Sequence, residues 1–116
     1  MQYCSKASEL IRNGQKAIVL FSCGDKFRYD AHGNGESGNW KVDLNKIQQV
    51  KKVIIYLREK GQAGGRIFVG NYAGLTPSNE EGRQVIFITQ LEEVCTTTRN
   101  WWEFSGSGPN PVCYLK

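Results

Sequence analysis

The chain has no long apolar run: its longest, Ala17-Ile18-Val19-Leu20-Phe21 and Val53-Ile54-Ile55-Tyr56-Leu57, stop at five residues. A membrane-spanning helix needs about 20, so none is expected. The opening lacks the apolar core of a secretory signal, since Lys6, Glu9 and Arg12 interrupt it. Histidine is nearly absent as well. His32 stands alone beside Gly33-Asn34-Gly35, and in so flexible a setting it reads as a solvated side chain rather than a ligand or a general base. Cys4, Cys23, Cys95 and Cys113 are widely separated, which gives neither the close pairing of a zinc site nor the density of a disulfide scaffold. They are expected to be reduced thiols of a cytoplasmic protein, with no metal and no cofactor. Internal repeats and low-complexity tracts are also missing.

What is present suits one globular domain: 116 residues, 40% hydrophobic and 22% charged, have room for a single core. The net charge is +4, a mild bias toward anionic partners. Its distribution says more than its sum. Lys41, Lys46, Lys51, Lys52, Arg58, Lys60 and Arg66, with Arg83 further on, face only Asp43 and Glu59 between residues 41 and 66.

Residues 5–13, closed by Gly14, carry Ala7, Leu10 and Ile11 at helical spacing, which predicts a short opening helix. Residues 16–23 and Phe27-Arg28-Tyr29 flank Gly24-Asp25-Lys26 and read as a hairpin. Residues 32–39 hold three glycines and two asparagines and read as a loop. After it, Trp40, Val42 and Leu44 alternate with Lys41 and Asp43 as in a half-buried strand. Asp43 or Asn45 is placed to cap a short helix running through Val50. Residues 53–58 and 66–72 are expected to pair across a surface connection at Gly61 to Gly65, residues 84–91 form another strand, and Cys113-Tyr114-Leu115 form a last short one. The sum is an α+β domain: a small curved sheet or β-barrel with one to three short helices, and not a doubly wound sheet.

Catalytic patterns are weak. One histidine and scattered serines make no hydrolytic triad, and the glycine clusters neither open a helix nor precede Lys-Ser or Lys-Thr as a phosphate loop would. The aromatics are more informative. Trp40, Trp101 and Trp102 lie in polar contexts, with Asn39 and Asn100 directly before two of them. Such rings either close the end of a barrel or sandwich a planar base, each stacked ring being worth about 1–3 kcal/mol. Lys and Arg flanking such a pocket would hold phosphates without reading sequence. Lys41, Lys51, Lys52, Arg58, Arg66 and Arg83 are the candidates, and a solvated barrel wall is the plainer alternative for them.

The order of elements from Asn39-Trp40-Lys41-Val42, through Val53-Ile54-Ile55-Tyr56 and Gly65-Arg66-Ile67-Phe68-Val69-Gly70, to Gln84-Val85-Ile86-Phe87-Ile88 and Leu91-Glu92-Glu93-Val94 resembles the PUA-like superfamily, especially its EVE and YTH branches. The likeness is one of layout over residues 39–115, with residues 1–35 as an added helix and hairpin. It implies a small barrel holding a modified nucleobase in an aromatic cage, with Asn39 and Trp40 on one wall and Trp101, Trp102 and Phe104 on the other; Tyr72 is assigned to the same pocket. It further implies a non-catalytic reader that flips a base, in DNA ahead of RNA, fused to or associated with a nuclease in a modification-dependent restriction system. Two other classes stay open. One is a protein-binding module or inhibitor in a phage or bacterial defence system, with exposed tryptophans as its hot spot; the other is a small enzyme acting on nucleotides.

Overall fold

The two apolar pentads become neighbouring strands buried on both faces, as near-continuous Val/Ile/Leu runs in a sheet interior require. In the computed structural model, which describes residues 16–22, 27–58, 65–97 and 112–115, β1 (Ala17–Ser22) runs parallel to β4 (Lys52–Arg58), pairing Ile18 with Val53 and Leu20 with Ile55. The remaining elements are β2 (Phe27–Tyr29), β3 (Gly35–Trp40), α1 (Leu44–Ile47), β5 (Gly65–Pro77), β6 (Gln84–Thr97) and β7 (Val112–Leu115). The strands form one mixed sheet in the order β2-β3-β6-β5-β4-β1-β7. Helix is nearly absent among the described residues, α1 being four residues long.

Each face of the sheet carries its own apolar cluster. On the first, Ile18, Leu20, Val53, Ile55, Phe68, Ile86, Ile88 and Leu91 meet Trp40, Ile47 and Val50. Asp43 starts α1 by accepting from the Asn45 and Lys46 backbone N–H groups at 2.9 and 3.2 Å, as the sequence suggested. That cap turns Ile47 and Val50 down onto the core. The second face joins Ala17, Val19, Ile54, Tyr56, Ile67 and Cys95.

The sheet curls because its longest ladder is irregular. Between β5 and β6 the register shifts at Ile67/Phe68, Val69/Asn71 and Tyr72/Gly74, and each bulge bends a strand and adds twist. The curl brings Phe27 and Tyr29 of β2 back to Phe68 of β5, both at 5.3 Å between ring centroids, although β3 and β6 lie between those strands in the sheet order.

Several expectations need correction. Residues 16–23 and 27–29 do not form a hairpin: β1 lies between β4 and β7, while β2 is an edge strand paired with β3. A strand apolar on both faces is driven to the interior, whereas exposed Arg28 and Tyr29 suit an edge. Much of the glycine-rich stretch read as a loop is strand β3. Its glycines serve close packing, since a Cβ on Gly35 would stand 2.9 Å from Leu91 Cδ2 and one on Gly38 2.9 Å from Val85 Cγ2. Trp40 ends that strand rather than opening another, and Leu44 begins α1. β1 and β2, from the part read as an added helix and hairpin, lie in one sheet with β3 to β7. Cys95 is disulfide-bonded, not a reduced thiol. Widely spaced cysteines do not disclose such a bond, since the fold and not the sequence brings the partners together. The pairing of residues 53–58 with 66–72 and the last short strand are as expected. The opening helix and the Gly61-to-Gly64 tip of the connection lie outside the described residues.

Candidate functional site: a polar cleft at the β6 bulge

The site grows out of one irregularity. Where the β5–β6 register slips between Val69 and Asn71, Gln90 takes a positive φ of 52°, a conformation that costs a residue with a side chain about 1 kcal/mol or more. Facing the bulge is Gly70. A Cβ there would overlap Ile88 Cγ2 and stand 2.9 Å from the Thr89 carbonyl oxygen, so the bulge depends on glycine.

The loop before β3 is tied to the same spot. The Asp30 carboxylate accepts the backbone N–H groups of His32 at 2.8 Å and Asn34 at 3.0 Å. Those donors, Asn34 first, hold its carboxyl below the usual aspartate value. The Leu91 N–H donates to the Gly33 carbonyl at 2.8 Å, pinning the loop onto the bulge. The only histidine is thereby held beside β6 rather than carried on an untethered loop.

Bulge, loop and hairpin enclose a cleft of about 400 Å3 whose polar lining is His32, Lys52, Asn71, Gln90 and Glu92. Three of these groups are linked in series. Lys52 Nζ donates to Asn71 Oδ1 at 2.6 Å, and Asn71 Nδ2 donates to Gln90 Oε1 at 2.8 Å. Further charge gathers at this corner of the sheet, because the backbone N–H groups of Lys51 and Lys52 both donate to the Lys16 carbonyl, at 2.8 and 3.2 Å. Lys16 Nζ in turn donates to Gln49 Oε1. One lysine, Lys52, therefore lines the cleft with two carboxamides, one imidazole and one carboxylate, and the backbones of Lys16 and Lys51 adjoin it.

Compared with known proteins, the chain matches no family model, no curated protein and no solved structure.

Of the residues expected to form the pocket, Asn39, Trp40 and Tyr72 are described. Trp40 is only 7% exposed and belongs to the first core cluster, its Nε1–H donating to Ser37 Oγ at 2.9 Å. Asn39 is half-buried and its carbonyl accepts from Arg83 Nη1 at 3.3 Å. Tyr72 packs against the same core, and burial pushes its hydroxyl pKa up. Trp101, Trp102 and Phe104 lie outside the described residues. Among the expected phosphate contacts, Lys52 lines the cleft and Lys51 precedes it in the chain. Lys41 follows β3, and Arg58 ends β4. Arg66 is paired with Glu93 at 2.8 Å and its guanidinium lies 5.3 Å from the Phe68 ring centroid. Arg83 is 3.8 Å from Glu80.

Lys16, His32, Asn71, Gln90 and Glu92 were not among the expected site residues. One signal was available: counting outward from the Gly61-to-Gly65 connection places Asn71 opposite Lys52. Nothing in the sequence marks Gln90 as the bulge.

Proposed function

We propose that this domain is a non-catalytic reader of nucleic acid, DNA ahead of RNA, which seats one unstacked base in the polar cleft beside Lys52 and holds flanking phosphates on Lys16 and Lys51. The observation carrying the reading is the Lys52–Asn71–Gln90 series of hydrogen bonds lining a cleft at a lysine-rich corner. With its carbonyl oxygen engaged by Asn71, Gln90 keeps amide N–H donors that suit the acceptor atoms of a base edge, while lysines add attraction to phosphates that is indifferent to sequence. Recognition by hydrogen bonding in the cleft replaces Trp40 as the described part of the pocket, since that ring packs in the core. The PUA-like resemblance extends the reading to a modified base flipped out of its strand, and to an associated nuclease of a restriction system. Residence in a reducing cytoplasm loses the support it drew from free thiols, because Cys95 is disulfide-bonded.

The test is a binding screen of oligonucleotides carrying different modified bases beside unmodified controls, repeated over a salt series. A reader loses affinity linearly in log salt, by about 0.7 in the logarithm per phosphate contacted on a single strand. Salt-insensitive binding, or none, contradicts the proposal.

One observation favours a second reading, a protein-binding module. Tyr29 and Phe87 are 51% and 37% exposed and line a hollow of about 370 Å3 with Arg28 and Glu36. Aromatic and arginine side chains together are the usual composition of a protein hot spot.

A further inference from the structure

We infer that the cleft is selective for guanine, an inference that rests on the nucleic-acid reading above and assigns the base. Free hydrogen-bonding capacity decides it. Lys52 gives one N–H to Asn71 and keeps others. Gln90 uses only its carbonyl oxygen, on Asn71, so both of its amide N–H groups are without a partner among the described residues. Glu92, exposed two residues along β6, lines the same cleft and has no ion pair among the described residues. The cleft therefore offers cationic and neutral donors together with a carboxylate that has no ion pair among the described residues.

Guanine is the base that uses all of these at once. Its O6 and N7 accept from lysine or a carboxamide. The adjacent N1–H and N2–H groups can donate in parallel to the two oxygens of one carboxylate, the paired geometry that makes a charge-assisted contact strong. Adenine and cytosine present a single exocyclic amine to Glu92. Thymine sets carbonyl oxygens on both sides of its one N–H, which places an acceptor against the carboxylate and penalises that base. Because N1–H and N2–H lie on the pairing edge, the base must be unpaired before it enters.

The test uses short labelled oligothymidylates carrying one central guanine, hypoxanthine, adenine, cytosine or thymine, titrated by fluorescence anisotropy with the full chain and with Glu92→Gln. Hypoxanthine is guanine without the N2 amine. The guanine strand should bind about tenfold tighter than the all-thymine strand, with hypoxanthine between them. Glu92→Gln should abolish the difference between guanine and hypoxanthine without moving the melting temperature, because this side chain is exposed. Equal binding of all strands, or a guanine preference untouched by Glu92→Gln, overturns the guanine assignment and leaves the reader proposal standing. If no strand binds at any salt concentration, the reader proposal fails and the assignment fails with it.

Discussion

Replacing Trp40 by alanine separates two roles that a tryptophan at a strand end can have. Trp40 packs with Ile47, Val50 and the first sheet face at 7% exposure, and truncating a core tryptophan costs about 3–5 kcal/mol. The same change leaves the Ser37 hydroxyl without its indole partner, and Ser37 is fully buried. An orphaned buried polar group costs a further 1–3 kcal/mol or about that. Against a total stability of about 5–15 kcal/mol, the loss should lower the melting temperature by on the order of 15 °C or more. Thermal unfolding followed by circular dichroism gives that shift, and oligonucleotide titration below the new midpoint gives the affinity of the folded protein. Early melting with undiminished binding is the expected result. Normal melting with binding lost would refute the placement of this ring in the core and return it to the pocket wall.

Gly70→Ala should destabilise the domain by about 1–3 kcal/mol, since the added methyl must displace Ile88 and the bulge backbone; an unchanged denaturation midpoint would contradict the need for glycine there. Breaking the Cys95 disulfide with a reductant should cost about 2–4 kcal/mol, visible as a lower melting temperature, and Cys95→Ala should melt at that lower temperature with or without reductant. Glu93 has its pKa lowered from 4.5 by the hydrogen bond from Arg66, so its contribution is present above pH 4.5 and fades as pH falls and the carboxylate is protonated. Glu93→Gln should therefore flatten the acid limb of the stability curve and leave the alkaline side alone; identical acid limbs in the two proteins would show that the pair contributes nothing.

The pairing of β4 with β5, the Asp43 cap and the last strand were legible in the sequence because each is set by local chemistry: apolar runs on either side of a glycine-rich stretch, or a carboxylate in reach of two N–H groups. The partners of β1 were not. Parallel pairing with β4 is a long-range contact, and a strand apolar on both faces carries no mark of its neighbour. Gly35 and Gly38 misled for a related reason, since glycine permits flexibility and also close approach, and only the positions of Leu91 and Val85 decide between them. The cleft was hardest to read. Lys52 was identified by its charge, whereas Asn71 and Gln90 acquire their roles from a hairpin register and a bulge, which place ordinary polar residues side by side.

The most direct test of the reader account is the affinity of a guanine-bearing single strand for the Asn71→Ala/Gln90→Ala double variant over a salt series, beside a Lys16→Glu/Lys51→Glu variant. The cleft variant should bind several-fold to a hundred-fold more weakly, the range of about 1–3 kcal/mol for one well-formed base contact, with its salt slope unchanged. The lysine variant should lose affinity for every strand and show a shallower salt slope. If the cleft variant binds as tightly as the parent protein while both remain folded, the cleft is not where the base is read.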